Sequence, residues 1–231
     1  MLYTVVYVDR WGKAQGILNI ASSRSPQFLH DRIRHLALRS GANCTPEEAM
    51  QVLAVCTGTV NLAVLGDFTS PTLLPVLDQM RVQRLSILLR RLFGGGPVDL
   101  AHQGFRHITH LDLYDIIDER ICEQLGNLPN LTHLSLDCEV RRDIILGAIP
   151  YCRRLQLLLV LWSSFSSDYE RARIPGVYDI RFVVGTYEDY WDEWENDARG
   201  HRSLWLPAED FIARKRRREI DVTRYWIHPD E

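Results

Sequence analysis

A short pattern of hydrophobic and polar residues recurs along this 231-residue chain. In its clearest copies, Ile108–Leu113 reads Ile-Thr-His-Leu-Asp-Leu and Leu131–Leu136 reads Leu-Thr-His-Leu-Ser-Leu. Each copy alternates apolar and polar positions, which predicts a half-buried β-strand. Looser copies bring the number to seven, and their central aliphatic residues are 22 to 26 positions apart: Leu36, Leu62, Leu85, Leu111, Leu134, Leu158 and Ile180.

Repeats of roughly 20–29 residues with this apolar pattern are typical of leucine-rich repeats. One strand and its crossover are too small to bury their own apolar face, so neighbouring units must stack with their strands parallel. The sequence therefore predicts an α/β fold, namely a leucine-rich-repeat solenoid of about seven strand–helix units. Its curved parallel β-sheet would carry the crossover helices on the convex side.

The segments between the strands predict helices that begin at recognisable N-caps. Thr45 is followed by Pro46 and Glu48, which is the form of a capping box with proline at the first helical position. Pro75 is expected to kink the second of these helices. The run Phe-Gly-Gly-Gly-Pro at 93–97 predicts a loop in the third crossover. The remaining N-caps are predicted at Ser70, Asp118 and Asp143.

The repeat fades after Ile180, so we predict two parts: an irregular solenoid at 1–184, and C-terminal capping helices with a tail at 185–231, packed on the solenoid. Helices are expected near 188–198 and 207–220, and aromatic-rich terminal helices can cover the last open edge of a sheet. The first of them could instead present an acidic aromatic face to a partner. The basic run Arg214–Arg218 could be a localisation signal, a nucleic-acid contact or a solvated helix face.

Alternation within the strands predicts which side chains point away from the helices. Leu111 and Leu113 would point inward, and the polar residues between them outward. An extended concave sheet is where solenoids usually bind partners. The candidate partner-binding residues on this face are His35, Arg84, His110, Asp112, Tyr114, His133, Asp137, Asp179 and Arg181.

Composition narrows the function classes further. The net charge of −3 and the pI near 6.2 give no whole-chain attraction to nucleic acid. The five cysteines include no Cys-x-x-C pair and are expected as small core residues, Cys56 and Cys152 among them. His110 and His133 would lie on adjacent strands, but no known ligand spacing supports a metal site, and we expect neither metal nor cofactor. With no signal peptide and no apolar run of ~20 residues, we expect a soluble cytoplasmic or nuclear protein.

At these repeats, and at Leu2-Tyr3-Thr4-Val5-Val6-Tyr7, the chain resembles the leucine-rich-repeat portion of the F-box proteins of mushroom-forming fungi. The likeness covers about Leu2 to Val184. It implies that the repeats select a target, while an N-terminal F-box docks on a Skp adaptor of a cullin ubiquitin ligase. Met1 directly precedes the first strand, so the F-box is expected only in a longer gene product. Regular repeats carry an asparagine at one fixed position after the strand. This chain has other residues there, which makes its repeats irregular: Gly41, Asp67, Arg90, Ile116 and Glu139.

We therefore expect a non-catalytic protein-interaction module that binds an unidentified protein through the concave sheet face. Target recognition for an F-box ubiquitin ligase is the more specific form of this expectation. One alternative is a free-standing structural scaffold without a ligase link. Another is an enzyme whose site is assembled on the sheet edge, although no catalytic motif is present. We expect no membrane partner, and a nucleic-acid partner is not favoured.

Overall fold

The computed structural model describes residues 4–8, 11–39, 44–137, 140–164, 176–201 and 203–227. It confirms an α/β fold with a single eight-stranded parallel sheet, in the sequential order β1 to β8, that does not close into a barrel. The chain forms two compact units, Met1–Asp112 and Leu113–Glu231, which we call the first and second units. The second unit includes the C-terminal segment, which packs on the strands just before it.

The first unit holds the first four strands, most of the fifth, and their crossovers. Its strands are β1 (Val5–Val8), β2 (His35–Arg39), β3 (Asn61–Leu65), β4 (Arg84–Ile87) and β5 (His110–Leu113), the last containing the boundary. Its helices are α1 (Trp11–Ser23), α2 (Pro26–Arg32), α3 (Pro46–Val55), α4 (Leu74–Leu77) and α5 (Leu89–Leu92). Short 3-10 turns cover Gly66–Phe68, Pro71–Leu73 and Gln103–Phe105.

The repeat centres of the first unit form one register across its strands. Leu36 of β2 aligns with Leu62 of β3, which aligns with Leu85 of β4, and all three side chains are buried. Helix α3 buries one apolar stripe, which includes Val52 and Leu53. The spacing of the leucines therefore predicted both the parallel pairing and its register in this unit.

Local sequence signals predicted the structure of the crossovers only in part. Thr45 forms the predicted capping box, because its hydroxyl accepts from Glu48 N at 3.1 Å and its own N–H donates to Glu48 Oε2 at 2.9 Å. The kink predicted at Pro75 is instead a break, since a 3-10 turn precedes the four-residue α4. The third crossover is a loop as predicted, and Gly94 and Gly95 adopt positive φ there.

The described residues of the second unit form the remaining strands and four helices. Its strands are β6 (His133–Asp137), β7 (Leu157–Ser163) and β8 (Phe182–Tyr187). Its helices are α6 (Glu119–Leu125), α7 (Arg142–Tyr151), α8 (Tyr190–Ala198) and α9 (Trp205–Arg216). Asp118 caps α6 as predicted, accepting from Ile121 N at 3.0 Å. The cap predicted at Asp143 was wrong, because α7 begins at Arg142 with Arg141 at the N-cap, two residues earlier than predicted.

The last repeat centre was also predicted wrongly. Leu134 aligns with Leu158 as expected, but Leu158 aligns with Phe182 rather than Ile180. The residues before Phe182 form a turn in which Asp179 Oδ1 accepts from Arg181 N at 2.9 Å. A side chain that binds its own backbone two residues on competes with strand pairing, so β8 begins two residues late.

The outer edge of β8 is covered by the chain's own C-terminal segment. Val184 N donates to Tyr225 O at 2.6 Å, and Ile227 N donates to Val184 O at 3.0 Å. Val184 and Trp226 thereby form a parallel bridge. Terminal helices were expected to cover this edge, but an extended segment does so, because backbone donors and acceptors are what an open edge lacks.

Buried apolar side chains fill the inner layer of both units. Cys56, Cys122 and Cys152 are buried core residues as predicted, and Cys44 is partly exposed. Cys138, Gly41 and Glu139 lie outside the described residues. In the described ranges, no helix combines the length and the apolar character needed to cross a membrane.

Candidate functional site

The partner-binding residues were predicted on the side of the sheet opposite the inward leucines. We call this side the outward face. In the first unit the register places Val5, His35, Asn61 and Arg84 in one row. The second row holds Tyr7, Ala37, Ala63 and Ser86. Two of the predicted candidates, His35 and Arg84, therefore lie in one row. This part of the outward face belongs to the first unit alone.

On the outward face of the first unit, small buried residues alternate with longer basic and aromatic side chains. Ala37 and Ala63 are fully buried. Tyr7, His35 and Arg84 are partly exposed. Arg39, at the end of β2, is exposed, and its Nη1 donates to the Tyr7 hydroxyl at 3.3 Å. Tyrosine and arginine are the residue types that dominate binding energy at protein interfaces.

Two further candidates lie on β5 within the first unit. His110 is partly exposed, and its Nδ1 is 2.9 Å from the Thr109 hydroxyl. Asp112 retains only 7% exposure and accepts a hydrogen bond from Ser86 Oγ at 3.3 Å. Little of the Asp112 side chain is therefore accessible to a partner, because it is buried and its carboxylate accepts from the neighbouring strand.

His133, in the second unit, is another candidate that the structure buries. It is 7% exposed, and its ring packs edge-on against Trp205 of α9 at 5.5 Å. Its Nε2 lies 3.1 Å from Glu209 Oε1, and its Nδ1 lies 2.8 Å from the Thr132 hydroxyl. A carboxylate can only accept, so Nε2 carries the proton that bonds Glu209. His133 therefore contacts α9 twice, through Trp205 and through Glu209.

Three of the four remaining candidates of the second unit contact each other or α8. Tyr114 packs edge-on against Tyr190 of α8 at 4.9 Å. Asp137 ends β6, aligned with Leu161, and is partly exposed. Asp179 and Arg181 form an ion pair at 2.8 Å, and the Arg181 hydrogen bond lowers the pKa of the Asp179 carboxyl. Both precede β8, so neither occupies the sheet row predicted for it.

Helix α9 covers the outward face of β7 and β8. Leu157, Leu159 and Leu161 of β7 share one face with Val183 of β8. These four side chains form a buried cluster with the α9 residues Trp205, Ala208, Phe211 and Ile212. The next residues along the strands, Leu158 and Val184, point to the opposite face and are also fully buried. Both faces of these two strands are thus closed, and the outward face here is occupied by the chain itself.

Lys215 anchors the C-terminal end of α9. Its side chain is 1% exposed, and its Nζ donates to Phe182 O at 3.0 Å. Nζ also lies 5.2 Å from the centre of the Phe211 ring. Burial lowers the pKa of this amine to about 8, against the opposing effect of the Asp179 charge. The basic run is therefore divided between a buried Lys215 and three exposed arginines that follow it.

No known protein family matches this chain, and no curated protein is significantly similar to it. The likeness to F-box proteins therefore stays a prediction.

The residues of α9 that determine the accessible part of the outward face were missed at the sequence level. Trp205, Ala208, Ile212 and Lys215 are spaced by three or four residues, and all four are buried. That spacing marks one stripe of a helix that packs on a flat surface. The basic run at the end of the helix conceals this stripe, because Lys215 stands among arginines and its charge predicts an exposed side chain.

Proposed function

We propose that this chain is a leucine-rich-repeat interaction module without catalytic activity, and that it binds a protein partner through the outward face of the first unit. The observation that carries the proposal is the contrast between two stretches of outward face. Helix α9 closes the stretch on β7 and β8, whereas Arg39, His35 and Arg84 of β2 and β4 keep exposed surface. Arginine, histidine and tyrosine side chains that keep exposed surface suit partner recognition.

Charge favours an acidic partner surface. The first unit has 11 lysine and arginine residues against 8 aspartate and glutamate residues, a net charge of +3. The second unit has 16 against 22, a net charge of −6. Complementary charge accelerates association and disfavours partners of the same sign. Basic residues also dominate the exposed positions of the outward face in the first unit.

The repeat assignment itself has two supports. Leucines 23 to 26 residues apart share one register in β2, β3 and β4, and Leu134 aligns with Leu158 in the second unit. Each strand is parallel to its successor, which a stack of strand–crossover repeats requires. The shift at β8 and the short crossovers α4 and α5 make this an irregular member of that class.

Target selection for an F-box ubiquitin ligase is the more specific form of the proposal, and it rests on the likeness of the repeat motifs. Affinity purification of the full-length gene product should then recover a Skp adaptor or a cullin. Recovery of partners without any ligase subunit would instead favour a free-standing scaffold.

The partner site is tested by reversing charge on the outward face. Once a direct partner has been identified by purification with the wild-type chain, we expect Arg39→Glu/Arg84→Glu to weaken its affinity roughly 10- to 100-fold, as removal of interface arginines does. Isothermal titration calorimetry measures the change. Neither residue belongs to the buried core, so the thermal unfolding midpoint should stay close to that of the wild type.

The matched control is Arg120→Glu/Arg153→Glu, which makes the same change of charge at two exposed arginines of the second unit. This variant should bind the partner with affinity close to that of the wild type. Equal loss in both double variants would mean that only net charge matters, and no loss in either would place the partner elsewhere. His133 is unsuitable as a probe of the partner site, because its replacement would release Glu209 and disturb α9.

A further inference from the structure

A cavity of about 370 Å³ lies at the edge of the first unit where strands β2, β3 and β4 begin. Three successive turns build its walls. His30 and Arg34 come from the turn before β2, Thr57 and Gly58 from the turn before β3, and Gln79 and Arg81 from the turn before β4. We call this cavity the turn pocket. It is separate from the outward face, and its residues were not singled out by the repeat pattern.

The backbone fixes the three turns against each other. Val60 N donates to Arg34 O at 2.8 Å, and Gln83 N donates to Val60 O at 2.8 Å, so the sheet ladder extends into the turns. Gly58 allows the closest approach, because a Cβ at that position would lie 1.7 Å from the carbonyl oxygen of His30. The backbone of the three turns is therefore held in place by the sheet ladder.

The polar groups that line the turn pocket are hydrogen-bond donors or can act as donors. Arg34 and Arg81 contribute guanidinium groups, Thr57 a hydroxyl and His30 an imidazole, and no carboxylate of the described residues lines the cavity. The Gln79 amide also lines it, and its Nε2 donates to Pro75 O at 3.3 Å. The Thr57 hydroxyl and His30 Nδ1 are 3.2 Å apart, which fixes their relative orientation. Such a lining, with donors that converge from three turns, favours an anion.

The two arginines differ from others in the described part of the chain. Arg91, Arg181 and Arg199 each form an ion pair with a carboxylate, whereas within the described ranges Arg34 and Arg81 form none. The positive field of Arg81 extends to the next turn, where burial and then the charges of Arg106 and Arg81 lower the pKa of His107. Two uncompensated guanidinium groups are placed to neutralise a doubly charged ligand.

We propose that the turn pocket binds a phosphate monoester, with Arg34 and Arg81 as the groups that hold the phosphate oxygens. Donors from three directions suit a tetrahedral oxyanion better than a planar carboxylate, and guanidinium groups can bind phosphate bidentately. The volume is near the lower end of the range of ~300–1,000 Å³ for small-molecule sites. It therefore has room for a phosphate and a small group attached to it.

Binding is tested by calorimetric titration of the wild-type chain with glycerol 3-phosphate, with a short phosphoserine peptide and with citrate. We expect saturable binding of at least one phosphate monoester, weakened by added salt, and weaker binding of citrate. The tighter of the two phosphate ligands identifies whether the source is a small molecule or a modified protein. Binding of citrate as tight as that of both phosphates, or no saturable binding of either phosphate at millimolar concentration, would overturn the proposal.

The decisive variant is Arg34→Gln/Arg81→Gln, and Arg120→Gln/Arg153→Gln is its control with the same change of charge. We expect the first to lose about 10-fold or more in phosphate affinity for each guanidinium removed, and the control to lose little. Equal affinity in the two variants would overturn the assignment. If the first variant does not fold, amide NMR shifts of the wild type decide instead. Phosphate must then perturb Gly58, Val60 and Arg81, and perturbation confined to other residues would contradict the proposal.

Discussion

Phe211→Ala is expected to lower the free energy of unfolding by about 3–5 kcal/mol, the usual cost of emptying a buried aromatic site. The Phe211 side chain is 2% exposed and belongs to the cluster that joins α9 to β7 and β8. Two cations also lie near its ring: Lys215 Nζ, and the Arg224 guanidinium at 5.6 Å from the ring centre. Urea denaturation followed by circular dichroism measures the change.

Leu206→Ala is the matched control for this prediction. Leu206 lies on the same helix but is 58% exposed, so its truncation should change the free energy of unfolding by no more than about 0.5 kcal/mol. Similar small changes in both variants would mean that α9 does not rest on the sheet. A loss of several kcal/mol in Phe211→Ala alone supports the packing of α9 on the outward face of β7 and β8.

The second large effect concerns the pH dependence of stability. Burial lowers the pKa of the Lys215 amine to about 8, below the value of about 10.4 for an unfolded chain. Below about pH 8 both states carry the proton, and the full cost of burying the charge is present. Between about pH 8 and 10 the folded state releases the proton while the unfolded state keeps it, so stability rises with pH. The total gain is about 3 kcal/mol.

The variant that checks this gain is Lys215→Met, which keeps most of the length of the side chain and removes its titration. Urea denaturation of wild type and variant at several pH values between 7 and 11 should show their difference in unfolding free energy shifting by about 3 kcal/mol in favour of the wild type. Burial also raises the pKa of Cys56 to about 12 and of Cys122 to about 11, so these thiols lower stability in alkali. That effect is common to both chains and cancels in the difference.

Lys13→Met is the control, because Lys13 is the only other lysine of the chain. It leaves Lys215 intact, so the alkaline gain in stability should persist. A difference between wild type and Lys215→Met that stays constant from pH 7 to 11 would contradict the account of a buried, desolvated amine.

The repeat made the parallel sheet predictable from sequence. Leucines at regular spacing can be buried together only when successive strands run side by side, so Leu36, Leu62 and Leu85 determined both the pairing and the register. The helix caps at Thr45 and Asp118 were predictable for a related reason, since their hydrogen bonds are local and depend on residues within one turn.

The failures have two causes: a local side-chain hydrogen bond that competes with the strand, and contacts between residues distant in sequence. Ile180 fits the apolar pattern of a strand centre, but the Asp179–Arg181 turn displaces the strand to Phe182. The burial of His133 depends on Glu209 and Trp205, which lie more than 70 residues later. Neither partner is implied by the Thr-His-Leu motif around His133.

The candidate site was predictable only in part. Alternation placed His35 and Arg84 correctly on the outward face, since the side-chain period of a strand is a local property. It did not indicate which part of that face stays accessible. The C-terminal helix decides this, and its apolar stripe gives no indication of the strands against which it packs. Lys215 shows the same limit, since a basic run in the sequence predicts exposure and the fold buries one member of it.

The central claim is that α9 lies on the outward face of β7 and β8 and leaves partner binding to the first unit. Nuclear Overhauser effects between the ring protons of Trp205 and Phe211 and assigned leucine and valine methyl groups test the position of α9 directly. The account predicts cross-peaks to Leu157, Leu159 and Val183, on the outward face, and none to Leu158, on the opposite face. Cross-peaks to Leu158 in their place, or no cross-peaks from either ring to β7 and β8, would contradict it.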